Sequence, residues 1–350
     1  TAYNTSNNYR IISYDGSRLR IEDSEISYAG YAFGLGYAGV LIKGNNATIR
    51  NSLVRYCYFG IYLDSSNYSV IYGNTIVNNT CTGIYMGGSY YVTVFNNTIM
   101  HTHGDAYYEG YGIYCVSCRY NNISQNTIRD NRGWGLYLRW SYYNKILDNI
   151  FVRDGMYVET ALYNTVVNNI VNGKPLVYLE GKYNTVVDTP AGEVILINCR
   201  NVRIRNQNIT NTDVAILVWN SEGIIANSTI RNNYIYGIYV YGPNHNSTIY
   251  GSTIENNREG IYILSGWVNV SNNTITNDCI YVFSGAYIAN NTIIMGNPYG
   301  IYLSYVIDTT IRDNIIQNTT IGMYILGSDR VDILGNTLKK GEAVAEMKTI

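Results

Sequence analysis

Two of the three histidines stand in one short run, His101-Thr102-His103-Gly104-Asp105, with Glu109 close behind. Imidazole beside carboxylate is a donor set that copper or zinc takes, which makes His101, His103 and Asp105 the candidate metal ligands. A closed site needs more ligands than this run fixes, and a polar loop has the same composition. Apart from that copper or zinc option, no cofactor is expected. The third histidine, His245, stands in another turn. Cys57 and Cys81 precede Gly60 and Gly83 at nearly the same place in successive repeats. Stacked repeats would bring the two within disulfide range, a bond that suits an oxidising compartment. Cys115-Val116-Ser117-Cys118 is a lone CxxC, a small disulfide or a redox pair, and without a second CxxC it implies no zinc site. Cys199 and Cys279 read as buried singles.

These residues sit in a repeat. A Gly-Ile-Tyr-Leu phrase recurs at Gly60, Gly83, Gly112, Gly135, Gly237, Gly260 and Gly300, with worn copies at Ala215, Cys279 and Gly322. A second phrase follows each copy: an aliphatic residue, two variable positions, Asn, Ser or Gln, one variable position and another aliphatic. Ile71-Tyr72-Gly73-Asn74-Thr75-Ile76 is one example and Ile333-Leu334-Gly335-Asn336-Thr337-Leu338 another. Alternation in short pieces punctuated by Gly and Asn means strands and turns, and no helical stripe persists. The pattern predicts an all-β fold, a single right-handed parallel β-helix of about 15 coils of roughly 22 residues, three short strands and three corners to a coil.

The fixed polar position predicts an internal amide ladder through Asn74, Asn97, Asn126, Asn149, Asn169, Asn273, Asn291, Asn314 and Asn336, with Ser24, Ser52, Gln207, Ser228 and Ser252 in the same series. Buried amides are tolerated only in such satisfied networks. Between Asn169 and Gln207 one coil lacks a ladder residue, and the prolines at Pro175 and Pro190 mark residues 173–192 as an irregular coil. Residues 1–20 are assigned to an N-terminal strand or cap, 21–338 to the β-helix and 339–350 to a cap or an inter-subunit contact. Tyr9-Arg10-Ile11-Ile12 is strand-like, and residues 342–347 suit a short helix or a further strand.

In the Gly-Ile-Tyr-Leu phrase the aliphatic residues face in, so the tyrosine faces out. Tyr62, Tyr85, Tyr114, Tyr137, Tyr239, Tyr262, Tyr281, Tyr302 and Tyr324 should form an external ladder, either simple strand packing or a contact strip for sugar or protein. The sequence holds 38 tyrosines against five phenylalanines, a preference for hydroxyl-bearing rings that a wet interface would want. Asn-x-Ser/Thr sequons place candidate glycosylation at Asn4, Asn46, Asn67, Asn78, Asn96, Asn122, Asn208, Asn227, Asn246, Asn269, Asn272, Asn290 and Asn318, although a repeat rich in Asn and Thr also makes sequons by chance.

Net charge is −1, and no basic run exceeds Lys339-Lys340, so nucleic acid is not an expected partner, given its electrostatic requirement. Runs such as Val194-Ile195-Leu196-Ile197 are far too short to span a bilayer, so no transmembrane segment is expected. The chain opens at Thr1 without a methionine or a charged n-region, which leaves export to be inferred from the sequons and cysteines. The expected location is extracellular or at the cell surface.

The coil phrases, with Gly173-Lys174-Pro175-Leu176-Val177-Tyr178-Leu179, Val194-Ile195-Leu196-Ile197-Asn198-Cys199 and Val202-Arg203-Ile204-Arg205-Asn206, resemble the NosD-like proteins of the parallel β-helix repeat superfamily, and the tyrosine and asparagine usage is similar to exported archaeal members. The resemblance covers roughly residues 40–340 and implies the fold; that superfamily's repeat also carries polysaccharide lyases, epimerases, adhesins and copper-site accessory proteins. Three functions are therefore weighed. The leading one is a non-catalytic extracellular structural or adhesive protein, glycosylated, binding carbohydrate or copies of itself laterally or head-to-tail into filaments or a surface layer. The second is a carbohydrate-active enzyme. Glycoside hydrolysis wants two carboxylates about 5 to 9.5 Å apart, whereas adjacent repeats offer Tyr, Asn, Arg or Thr. Asn211-Thr212-Asp213 faintly resembles a polygalacturonase motif, but the acidic pair expected one coil later is missing, so no catalytic residue is assigned. The third, implied by the family's name, is a copper-handling accessory protein.

Overall fold

A computed structural model describes residues 9–30, 38–105, 109–243, 246–296 and 298–340, with the backbone alone of 342–346. Alternating aliphatic residues make three short strands per repeat: Phe59–Asp64, Val70–Tyr72 and Thr75–Val77 in one, Thr82–Gly87, Thr93–Phe95 and Thr98–Met100 in the next. The two repeats pair strand for strand in parallel, Ile61 on Ile84, Ile71 on Val94 and Ile76 on Ile99. Each inward aliphatic is thereby fully buried, an arrangement worth about 1.5–3 kcal/mol per side chain against exposure.

The chain packs as two compact units, Thr1–Gly173 and Lys174–Ile350. In the first, two parallel sheets of seven strands and a third stack of the same kind enclose the core. In the second, parallel stacks of the same three types surround a core from Val187 to Ile325. Its last strand, Glu342–Glu346, pairs with Ile321–Leu326, so that segment is a strand and not a helix.

Corners are held by side-chain amides. Asn74 directs its main-chain N–H and Nδ2 to Asn97 Oδ1 at 3.0 and 2.9 Å, and the pattern repeats through Asn126, Asn149 and Asn169. In the second unit the same ladder runs from Gln207 through Ser228, Ser252, Asn273, Asn291 and Asn314 to Asn336. Ala191 fills the vacant rung, donating its N–H to Gln207 Oε1 at 3.0 Å. Two further ladders, not read from the sequence, occupy the other corners. One is Asn121–Asn144–Asn164; the other ends on a carboxylate in each unit, Asn131 on Asp154 and Asn233–Asn257 on Asp278.

Gly60 faces inward beside Ile61, because a Cβ there would meet Gly83 O at 2.6 Å and Asn79 Nδ2 at 3.1 Å. Two successive inward residues shift the strand phase by one, which turns Phe59 outward against Tyr62 and Tyr85. Register corrects the expected disulfide, because Cys57 stands three residues before Gly60 and Cys81 two before Gly83. Cys57 lies level with Asn79, whose Oδ1 accepts its N–H at 3.0 Å, while Cys81 lies level with Tyr58. One residue out of step, both remain buried thiols.

Candidate functional site

The outer face of the first-strand stack in the unit Thr1–Gly173 carries the expected tyrosines in register: Tyr62, Tyr85, Tyr114 and Tyr137, extended by Tyr157. Tyr62 stacks on Tyr85 at 4.4 Å and Tyr114 on Tyr137 at 4.6 Å, with edge-on contacts between. The rings face outward but cover one another, so Tyr114, Tyr137 and Tyr157 are buried. In the second unit Tyr239, Tyr262, Tyr281, Tyr302 and Tyr324 form a similar column at 5.3–5.8 Å.

The first-unit face gathers the chemistry. Trp134 stacks between Tyr111 at 5.6 Å and Tyr157 at 4.3 Å, and its buried Nε1 has no hydrogen-bond partner among the described residues. Tyr137 donates its hydroxyl to Glu159, and Arg139 Nε stands 3.3 Å from Glu159 Oε1. Arg139 also hydrogen-bonds Tyr114 and lies over Trp140 at 4.2 Å. Burial, reinforced by the Glu159 carboxylate, pushes the Tyr137 hydroxyl well above the usual phenol range. Glu159 itself remains partly open to solvent, so it is the polar tip of a mostly covered aromatic platform.

The long repeat brings residues 101–105 and 109–110 beside this face. Gly104 and Gly110 both adopt left-handed φ, and a Cβ on Gly110 would meet Gly104 N at 2.5 Å, so the loop is pinched at its neck. His101 and His103 flank Thr102, which turns inward and donates its N–H to Asn131 Oδ1. Asp105 is taken by Tyr58, whose hydroxyl donates to it at 2.6 Å, and Glu109 adjoins Tyr111. Among the described residues no three metal-ligating His, Cys, Asp or Glu side chains converge, so His101, His103 and Asp105 are not brought together as a ligand set. His245 lies outside the described residues.

Cys115 and Cys118 are buried beside Met86, at 3.8 Å to its Sδ and 3.1 Å to its carbonyl respectively. Cys199 and Cys279 are buried thiols. Of the sequon asparagines, Asn46, Asn96, Asn208, Asn227, Asn246, Asn272, Asn290 and Asn318 are exposed, Asn67, Asn78, Asn122 and Asn269 are half-buried, and Asn4 lies outside the described residues. Asn46, Asn78, Asn96, Asn227, Asn272, Asn290 and Asn318 hold corner positions with left-handed φ, a structural reason for asparagine there whether or not sugar is attached.

A second aromatic surface was not read from the sequence. Tyr68, Tyr91, Tyr120, Tyr143 and Tyr163 stand at one corner of five successive coils, with ring centroids 5.2, 5.3, 5.4 and 5.2 Å apart and planes within 12°. Each precedes a ladder asparagine by six residues, so the signal lay in the spacing. Open hollows of about 220 Å³ at Asn184, Thr185, Val186, Asn201 and Arg203 and about 520 Å³ at Gly16, Ser17, Arg18, Asn45 and Asn46 hold no carboxylate.

A model of the right handed beta helix region matches residues 3–151, 176–293 and 215–346. The chain belongs to the right-handed β-helix family. No curated protein matches it. Among solved β-helix structures it is similar to a mutant tailspike protein of E. coli bacteriophage HK620 in complex with a pentasaccharide, at 12% identity and TM-score 0.40, covering 93% of this chain and 67% of that one. An exopolygalacturonase of Thermotoga maritima aligns at 12% identity and TM-score 0.37, over 93% and 81% of the two chains. The mannuronan C-5 epimerase A-module of Azotobacter vinelandii aligns at 11% identity and TM-score 0.31, over 98% and 92%. No helix among the described residues of this β-helix is long and apolar enough to cross a membrane.

Proposed function

We propose that this β-helix protein is carbohydrate-directed and engages glycan on the outer first-strand face around Trp134. The observation that carries the reading is the stack Tyr111–Trp134–Tyr157 with Glu159 and Arg139 at its edge. The stacked rings present their edges to a sugar, while the polar groups fixed at the rim, Glu159 and Arg139, orient its hydroxyls. The adhesive role is one use of such a face, outside the cell where glycans are met, and lateral or end-to-end association of copies would multiply it.

A second reading, catalysis on the bound glycan, is favoured by the acids that border this patch: Asp105 held by Tyr58, Glu109 beside Tyr111 and Glu159 held by Tyr137. Paired carboxylates, or a carboxylate with a tyrosine proton donor, are the groups that glycosidic chemistry uses. Copper handling has no ligand set among the described residues to carry it.

Affinity electrophoresis through gels containing neutral and acidic polysaccharides, with an assay for new reducing ends or unsaturated products, separates the readings. Retention that Trp134→Ala weakens, without product, means binding on this face. Product formation lost in Glu159→Gln means catalysis. Neither retention nor product on any polysaccharide overturns the carbohydrate reading.

A further inference from the structure

The corner stack Tyr68–Tyr91–Tyr120–Tyr143–Tyr163 is exposed at 57, 49, 48, 46 and 61%, far more than the first-strand tyrosines. All five residues have φ between 56 and 60°. A bulky L-residue is strained in that region, and Asn serves at an equivalent corner of this chain, as at Asn46. Folding alone would therefore select asparagine, and five strained tyrosines in succession call for a use. The stacked rings hide their faces against one another and present edges and hydroxyls outward, one per coil. Beside them Asn122 Oδ1 is buried without a hydrogen-bond partner among the described residues.

We infer that this ribbon binds one extended 1,4-linked polysaccharide chain along the stacking direction, one sugar to each coil. The inference rests on the carbohydrate reading but uses a different surface. Its width decides against a protein partner: about half of roughly 150–250 Å² per ring over five rings is about 500 Å², below the ~800 Å² per partner of a stable protein pair. Its period decides for a polymer, because an extended chain of equatorially 1,4-linked pyranoses advances per residue by close to the observed ring spacing. Its charge selects an acidic sugar. The positions flanking the ribbon hold Arg119, whose guanidinium lies 5.6 Å over Tyr142, on one side and Lys145 on the other, with no carboxylate in either flanking column.

The test is titration calorimetry with a β-1,4-linked uronate hexamer and with the neutral β-1,4-glucan hexamer, on the intact chain freed enzymatically of N-linked sugar because Asn67 and Asn122 flank the ribbon. The uronate hexamer should bind, and the glucan more weakly. Tyr91→Asn/Tyr143→Asn, which relieves the left-handed strain and so keeps the fold, should weaken uronate binding about tenfold. Arg119→Gln/Lys145→Gln should weaken the uronate and leave the glucan unchanged. Binding lost in Trp134→Ala but kept in the tyrosine variant would overturn the ribbon and uphold the first-strand face. No binding of either hexamer, or sedimentation showing that wild type dimerises and the tyrosine variant does not, would also overturn it.

Discussion

Asn257 directs its main-chain N–H and its side-chain Nδ2 to one carboxylate, Asp278, at 2.9 and 2.8 Å. Asp278 is buried beneath the preceding coil, where Gly260 leaves room for it: a Cβ on that glycine would stand 2.6 Å from Asp278 Cβ. Desolvation outweighs the two donated bonds and pushes the acid up to about 8 from an ordinary 3.8. The folded state therefore holds a proton that the unfolded chain has already released between those values. The contribution of Asp278 to stability should be full below about pH 4, fall by on the order of 1.4 kcal/mol per pH unit, and level off above about pH 8. Asp278→Asn should flatten this part of the profile, as urea unfolding at several pH values would show.

Asn126→Leu should destabilise the chain by about 1–3 kcal/mol, because it strips Asn97 of its acceptor and Val94 O and Asn149 Oδ1 of a donor. A change of a few tenths in denaturant unfolding would mean that the ladder carries little.

Gly112→Ala should cost about 1–3 kcal/mol by overpacking, since its Cβ would stand 2.5 Å from Gly135 O and 2.8 Å from Ile128 Cγ2. Gly173→Ala tests a different effect, for nothing lies within 4 Å of that Cβ and only the left-handed φ resists it. Thermal unfolding of the two variants separates crowding from backbone strain.

Cys57 and Cys81 should both alkylate in denaturant without reductant and resist alkylation in the native state, because both are buried thiols. A Cys57–Cys81 peptide in a non-reducing digest would contradict the one-residue offset.

The ladder asparagines and the inward isoleucines were legible because both recur with the coil, whatever its exact length. The offset at Gly60 was not, since alternation gives no warning that Gly60 and Ile61 both turn inward. The offset between Cys57 and Cys81 was legible, since one stands three residues before its repeat glycine and the other two. Facing outward also proved different from being open: Tyr137 points away from the core and is 6% exposed, because Trp134 and Tyr157 close over it. The open tyrosines sit where the backbone is left-handed, a conformation that residue type hides when tyrosine replaces the usual asparagine.

In every ladder of the first unit the corner N–H reaches forward, from Ser52 to Asn74, from Cys57 to Asn79 and from Val92 to Asn121, so each coil takes its acceptor from the coil that follows in the chain. The stack has a direction. During synthesis the corner donors of the leading coil await the next coil to emerge, and each new coil supplies their acceptors, so construction from the N-terminus completes the ladders rung by rung.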